Sequence, residues 1–175
     1  MKIAIIGYSG AGKSTLAKMI SERYSLPLQH LDKVHWLPGW QERELEDEIR
    51  IAKDFLDEHE KWVIDGNYTR LERNRRLEEA DWIIFMDFNR WSCLLRILRR
   101  HKEYRNTQRD SITEGCKDRL NLDYLEWALF KGRTWRAKAN YSRIQNRHPD
   151  KMIVIKNQKE LDLFKESLDA RFAKA

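Results

Sequence analysis

Apolar residues gather in five short runs, at 3–6, 26–32, 61–66, 82–87 and 151–155. Each run is rich in Ile, Val, Leu or aromatic residues and shows no strict alternation. That pattern suits strands covered on both faces, as in a parallel sheet. Between the runs the apolar positions recur at helical spacing. Leu16, Ala17 and Ile20 mark a first helix reaching Tyr24. Leu45, Ile49, Ala52 and Leu56 mark a second, over about 42–59. A charged helix ends near Glu79. In the segment 90–101 the spacing predicts Trp91, Leu94, Leu95 and Leu98 facing inward. Two helices, about 114–131 and 133–147, are predicted with Trp127 and Trp135 as apolar anchors and Gly132 between them. Leu161, Phe164 and Leu168 mark the last helix. Strands alternating with helices, joined by right-handed crossovers, predict an α/β fold with helices on both faces of a parallel sheet.

The first run leads into Gly7-Tyr8-Ser9-Gly10-Ala11-Gly12-Lys13-Ser14, which fits G-x-x-x-x-G-K-[ST] at every fixed position. Strand, glycine loop and helix follow in the order the motif requires. A triphosphate needs backbone N–H groups wrapped around it, so Gly7, Gly10 and Gly12 are read as glycines that let the backbone approach. Ser9 and Ala11 lie between them. The helix opening near Lys13 aims its N–H groups and positive dipole end at the phosphates. Lys13 is expected on the β- and γ-phosphates, and the Ser14 hydroxyl on Mg²⁺ with Thr15 behind it.

Several apolar runs end on an acid. Asp32 closes the second and is expected at the carboxyl edge of the sheet, where ligands bind in open α/β folds. Asp65 closes the third and is the favoured residue to hold Mg²⁺ waters, with Asp87 ranked below it. The segment His35-Trp36-Leu37-Pro38-Gly39-Trp40 either walls a substrate pocket or staples a loop to the core. Arg96 and Arg100 share a helix face with few acids nearby, and planar guanidinium groups suit a migrating phosphoryl group. Arg105 and Arg109 lie in the polar stretch 101–113, read as a mobile connection.

The net charge of +6 is unevenly placed. Residues 41–60 carry nine acids against three bases, and residues 90–147 carry fifteen bases against six acids. The basic half suggests an anionic partner, either nucleotide phosphates or a nucleic acid, although no nucleic-acid reader motif stands out. No apolar run approaches the length of a membrane span, and no cleavable leader is read, so a cytoplasmic protein is expected. Cys93 and Cys116 have no metal-type spacing and are read as reduced structural thiols. No linker or repeat divides the 175 residues, so one domain is expected, with a basic lid-like region inserted at about 101–147.

The phosphate loop, His30-Leu31-Asp32, the tryptophan segment and Trp62-Val63-Ile64-Asp65-Gly66-Asn67-Tyr68 together resemble the adenylate-kinase-like branch of P-loop kinases. Within it the chain is similar to the small bacterial topology modulation (FlaR-type) proteins, over nearly its whole length. The resemblance implies a five-stranded parallel sheet of order 2-3-1-4-5 and ATP as the nucleotide. It implies that Asp65-Gly66 holds Mg²⁺ waters, that Arg96 and Arg100 grip adenine and phosphates, and that Asn157 and Gln158 lie by the adenine. An arginine four residues after the family's Asp falls one place later here, at Arg70, so AMP is not the expected acceptor. Three functions compete. The first is an ATP-dependent kinase acting on a nucleotide or another small molecule, with Asp32 orienting or deprotonating it. The others are an ATP-switched nucleic-acid-associated regulator and a bare ATPase.

Overall fold

A computed structural model describes residues 1–104, 109–116 and 120–172. Arg105, expected in the connection, lies outside these. The chain runs through β1 (Lys2–Gly7), α1 (Lys13–Tyr24), β2 (Leu28–His30), α2 (Leu31–His35), β3 (Trp36–Leu37), β4 (Gln41–Glu42), α3 (Leu45–Glu58) and β5 (Trp62–Asp65). It continues through α4 (Arg73–Glu79), β6 (Trp82–Met86), α5 (Arg90–Glu103), α6 (Leu122–Leu129), α7 (Trp135–Arg147), β7 (Met152–Ile155), α8 (Gln158–Glu166) and α9 (Leu168–Phe172).

Strands β2-β5-β1-β6-β7 form one sheet, every neighbouring pair parallel. β3 and β4 pair separately as a two-residue hairpin. Counted among its own five strands, the large sheet has the order 2-3-1-4-5. β1 sits in the middle, between β5 and β6, and its residues from Ile3 onward are buried. That placement brings the end of β1 beside the ends of β5 and β6, so whatever follows Gly7 is flanked by Asp65 and Asp87. Helix starts follow the sequence signals. Asn89, Asn121, Thr134 and Asn157 each accept a hydrogen bond from a backbone N–H in the first turn of their helix.

Three expectations are corrected. The second strand ends at His30, and Asp32 lies in the first turn of α2. The inward face of α5 is Cys93 and Ile97, while Trp91 and Leu95 are more than 60% exposed (62% and 66%) and Leu98 is exposed too. Two apolar stripes compete on this helix, and the narrower one fits against the phosphate loop. Gly10 packs so close that a Cβ there would come within 2.7 Å of the Cys93 carbonyl and 2.8 Å of Ile97. Finally, the helix expected over 114–131 covers only Leu122–Leu129, and Trp127 and Trp135 are exposed rather than anchors. The helical segment is held instead by Ala128, Ile144 and the buried Arg133.

Candidate active site

The loop between β1 and α1 is built by backbone geometry first. Gly10 (φ 76°) and Gly12 (φ 96°) are left-handed, and Gly12 is the N-cap of α1. The sequence assigns these glycines to phosphate approach. At Gly10 the structure gives a different reason, the tight packing on α5 just described. Only at Gly12 does the Cβ position face a cation, Arg96 Nη1 at 3.0 Å. The Ala11 N–H closes a turn on the Tyr8 carbonyl (3.2 Å), and Lys13 Nζ donates to that same carbonyl at 3.2 Å. Thr15 is exposed on α1.

Ser14 Oγ donates to Asp65 Oδ2 at 2.7 Å, and His30 Nδ1 contacts the other carboxylate oxygen. His30 and Asp65 are both buried. The carboxylate is therefore fixed from two sides at the foot of the loop. A hydroxyl and a carboxylate in contact form a hard oxygen pair of the kind a small divalent cation takes, so Ser14 and Asp65 fit a Mg²⁺. His30 turns to Asp65, and His35 Nδ1 donates to Glu48 Oε1 at 2.6 Å. Asp87 lies beside β7, its N–H on the Ile155 carbonyl, and is half-buried. Burial raises its pKa, against the opposing pull of Lys156, Arg133 and Lys138.

The segment after β5 braces the loop and Asp32. Asn67 Oδ1 accepts from Gly7 N at 3.0 Å, and its Nδ2 donates to the Gly7 carbonyl. Tyr68 OH donates to Asp32 Oδ1 at 2.9 Å, and burial, with Asp32 second, pushes the phenol's pKa upward. The buried Arg76 holds this segment by donating to the Leu71 and Tyr68 carbonyls, at 2.8 and 2.7 Å. Arg70 is exposed.

From the other side, Arg96 donates to the Ala11 carbonyl and to Gln158 Oε1, and lies 4.0 Å over the Phe88 ring. Burial lowers its pKa. Arg100 donates to Tyr124 OH at 3.2 Å, and that hydroxyl is 2.8 Å from Ser9 Oγ. Asn157, expected near a nucleotide base, caps α8 with its side chain. Arg133 lies 3.9 Å over the Tyr8 ring and donates to the Phe88 carbonyl at 2.8 Å and to Cys93 Sγ at 3.0 Å. Both cysteines are free and buried.

The tryptophan hairpin is covered by residues 109–116. Thr113 Oγ1 donates to the Trp36 carbonyl, Cys116 Sγ to the Leu37 carbonyl at 3.2 Å, and Gly115 packs on Pro38. Of the two readings of this hairpin, the stapled loop matches these contacts. The sequence reading quoted Asn67 in a motif without giving it a role, passed over Tyr124 and Arg133 as site residues, and gave His30 no role beside Asp65. Only Asn67 carried a usable signal, as a polar residue two places after a strand-ending acid.

A glycine loop ending in lysine and serine, on the central strand of this parallel sheet, defines a P-loop nucleotide-binding protein. Residues 1–123 match the family model described as ABC transporter, and the chain belongs to that family. None of the curated proteins matches the chain. Among solved structures, a shikimate kinase from Acinetobacter baumannii in complex with shikimate is similar over 99% of this chain and 93% of its own (TM-score 0.59, 13% identity). A deoxyadenosine kinase from M. mycoides with bound dATP is similar over 97% and 100% (TM-score 0.51, 15% identity). A gluconokinase from Sinorhizobium meliloti 1021 is similar over 99% and 93% (TM-score 0.50, 17% identity). At these identities the likeness is one of fold, the P-loop kinase fold. Among the described residues no helix is long and apolar enough to cross a membrane.

Proposed function

We propose that this chain is an ATP- and Mg²⁺-dependent phosphotransferase of the adenylate-kinase-like branch, of the topology modulation type, acting in the cytoplasm on a small-molecule acceptor. The observation that carries the reading is the Ser14–Asp65 pair at the foot of a loop that also presents Lys13. A glycine turn that merely joined strand to helix would have no use for a buried carboxylate held from two sides.

In this reading the loop from Gly7 to Thr15 wraps the phosphates. Lys13 turns from the Tyr8 carbonyl to the β- and γ-phosphates and holds their charge in place. Ser14 and Asp65 would hold a Mg²⁺, which would supply positive charge to the phosphates. Arg96, between the loop and Gln158, borders the adenine together with Asn157, and Arg100 is carried by α5 toward Ser9. An acceptor oxygen bonds to the γ-phosphorus as the β,γ-bridging oxygen leaves with ADP. The hydroxyl proton passes to Asp32, whose carboxylate Tyr68 orients. The chain works as one domain, with the basic region 101–147 closing as a lid. Kinases of small molecules among the structural neighbours support this reading.

The test is Lys13→Ala. ATP affinity by calorimetry is expected to vanish while circular dichroism stays unchanged, because Lys13 is only half-buried and, among the described residues, its side chain hydrogen-bonds only to the loop itself. Unchanged ATP affinity would sink the phosphate-loop reading.

A further inference from the structure

A cavity of about 160 Å³ lies against the phosphate loop and one of about 90 Å³ lies beside it, and Asn67 and Tyr141 line both. The larger one reaches Tyr8 and Ser9 of the loop. The smaller one reaches Arg73 and Asn140. We take the two adjoining cavities as one slot, running from the phosphate loop to Arg73 with no residue of the hairpin in its lining.

Most of the surface that lines the two cavities is apolar, with a few polar groups set into it. Arg73 Nη1 donates to Asn140 Oδ1 at 3.2 Å, so the Asn140 amide has its NH₂ left to offer. The Tyr141 ring is fixed by Phe85 (4.2 Å, stacked) and Tyr8 (5.3 Å, edge-on), and its hydroxyl has no hydrogen-bond partner among the described residues. Burial raises the pKa of that hydroxyl, so it stays a proton donor. Arg73 carries the only charge among the described residues that line either cavity. A guanidinium beside an amide NH₂ and a phenol suits a carboxylate. A phosphomonoester, with nearly twice the charge, is poorly matched by one cation. The volumes hold a single ring or short chain rather than a nucleotide.

We infer that the slot binds the phosphoryl acceptor, and that the acceptor is a small hydroxy acid. Its carboxylate lies on Arg73 and Asn140, and its hydroxyl faces Ser9 and the loop. This rests on the phosphotransferase reading and names the acceptor class for it; the bonds made and broken are those written above, but Asp32 does not line the slot, so here the hydroxyl proton leaves with the transferred phosphoryl group.

The test is a panel of hydroxy acids of three to seven carbons, among them D-glycerate, D-gluconate and shikimate. The matched polyols glycerol and sorbitol, and AMP, serve as comparisons. Binding is followed by ligand-observed NMR and transfer by ADP release, in the wild-type chain, Arg73→Gln and Asn140→Asp. Asn140→Asp keeps size and the Arg73 pairing but sets a negative charge where the carboxylate would sit. Hydroxy acids are expected to bind and to drive ADP release. Both substitutions should weaken that binding by about 10- to 100-fold with ATP affinity unchanged. Overturning results are no binding by any hydroxy acid, binding that survives Asn140→Asp, or ADP release driven only by the polyols or AMP. Hydroxy-acid binding without ADP release would leave the slot standing and remove the phosphotransferase reading instead. ADP release with a non-acid acceptor, unaffected by either substitution, would do the reverse.

Discussion

Asp65→Asn separates a metal-holding role from a structural one, because the geometry says what each loss should be. Asp65 is 4% exposed, with one oxygen on Ser14 Oγ and the other against His30 Nδ1. Asparagine keeps its oxygen toward His30 and turns its NH₂ to Ser14, whose hydroxyl accepts as readily as it donates. Two hydrogen bonds to a charged group, about 1.5–3 kcal/mol each, become neutral ones of about 0.5–1.5 kcal/mol. The net cost is about 2 kcal/mol at most, since removing a buried charge offsets part of it. For a chain of this size that lowers the melting temperature by about 4–8 °C. The missing charge acts differently on the cation. Losing a carboxylate that orients metal-bound water costs about 10- to 100-fold in metal affinity or activity. Three measurements suffice: thermal melting, ATP affinity in EDTA, and a Mg²⁺ titration of ADP release. A shifted Mg²⁺ requirement with ATP affinity in EDTA retained supports the assignment. An unchanged Mg²⁺ curve, or a fall in melting temperature far beyond the estimate, refutes it and moves attention to Asp87.

Asn67→Ala removes the two hydrogen bonds that hold both backbone groups of buried Gly7, so ATP affinity by calorimetry should fall by about tenfold and the melting temperature should drop. Equal ATP affinity would show that Asn67 does not set the loop. Asp87 has a raised pKa through burial, so the folded chain binds its proton more tightly than the unfolded chain does, and ionisation costs stability above the ordinary carboxylate range. Asp87→Asn should therefore raise the melting temperature at pH 7, and the gain should disappear on acidification to about pH 3, below both pKa values. A gain that persists at pH 3 would point to packing instead.

What could be read in the residues follows from the range of the forces involved. The five sheet strands and the loop are local signals, since burial on both faces writes an uninterrupted apolar run and phosphate loops need glycine at fixed spacing. Asp65 was legible because it closes such a run. Which stripe of α5 turns inward was not. Trp91, Leu95 and Leu98 recur at helical spacing as well as Cys93 and Ile97 do, and only the fit to Gly10 decides between them. The pairing of His30 with Asp65, and of Arg133 with Tyr8, joins residues 35 and 125 places apart, and no periodicity records it. Nor does composition show that residues 109–116 claim the tryptophan hairpin, because those contacts run largely through backbone carbonyls.

The stacking of Arg133 on Tyr8 bears on how such a chain diverges. Tyr8 occupies a position where the phosphate-loop motif accepts any residue, yet its ring touches Arg133, Phe85 and Tyr141 and is almost wholly buried. Drift at this site is therefore tied to three distant positions. A smaller side chain at position 8 uncovers one face of the buried Arg133 guanidinium and opens the wall of the slot at once, so Tyr8, Arg133 and Tyr141 should change together between descendants of this sequence or not at all. The freest letter of the motif is, in this chain, among the least free to mutate alone.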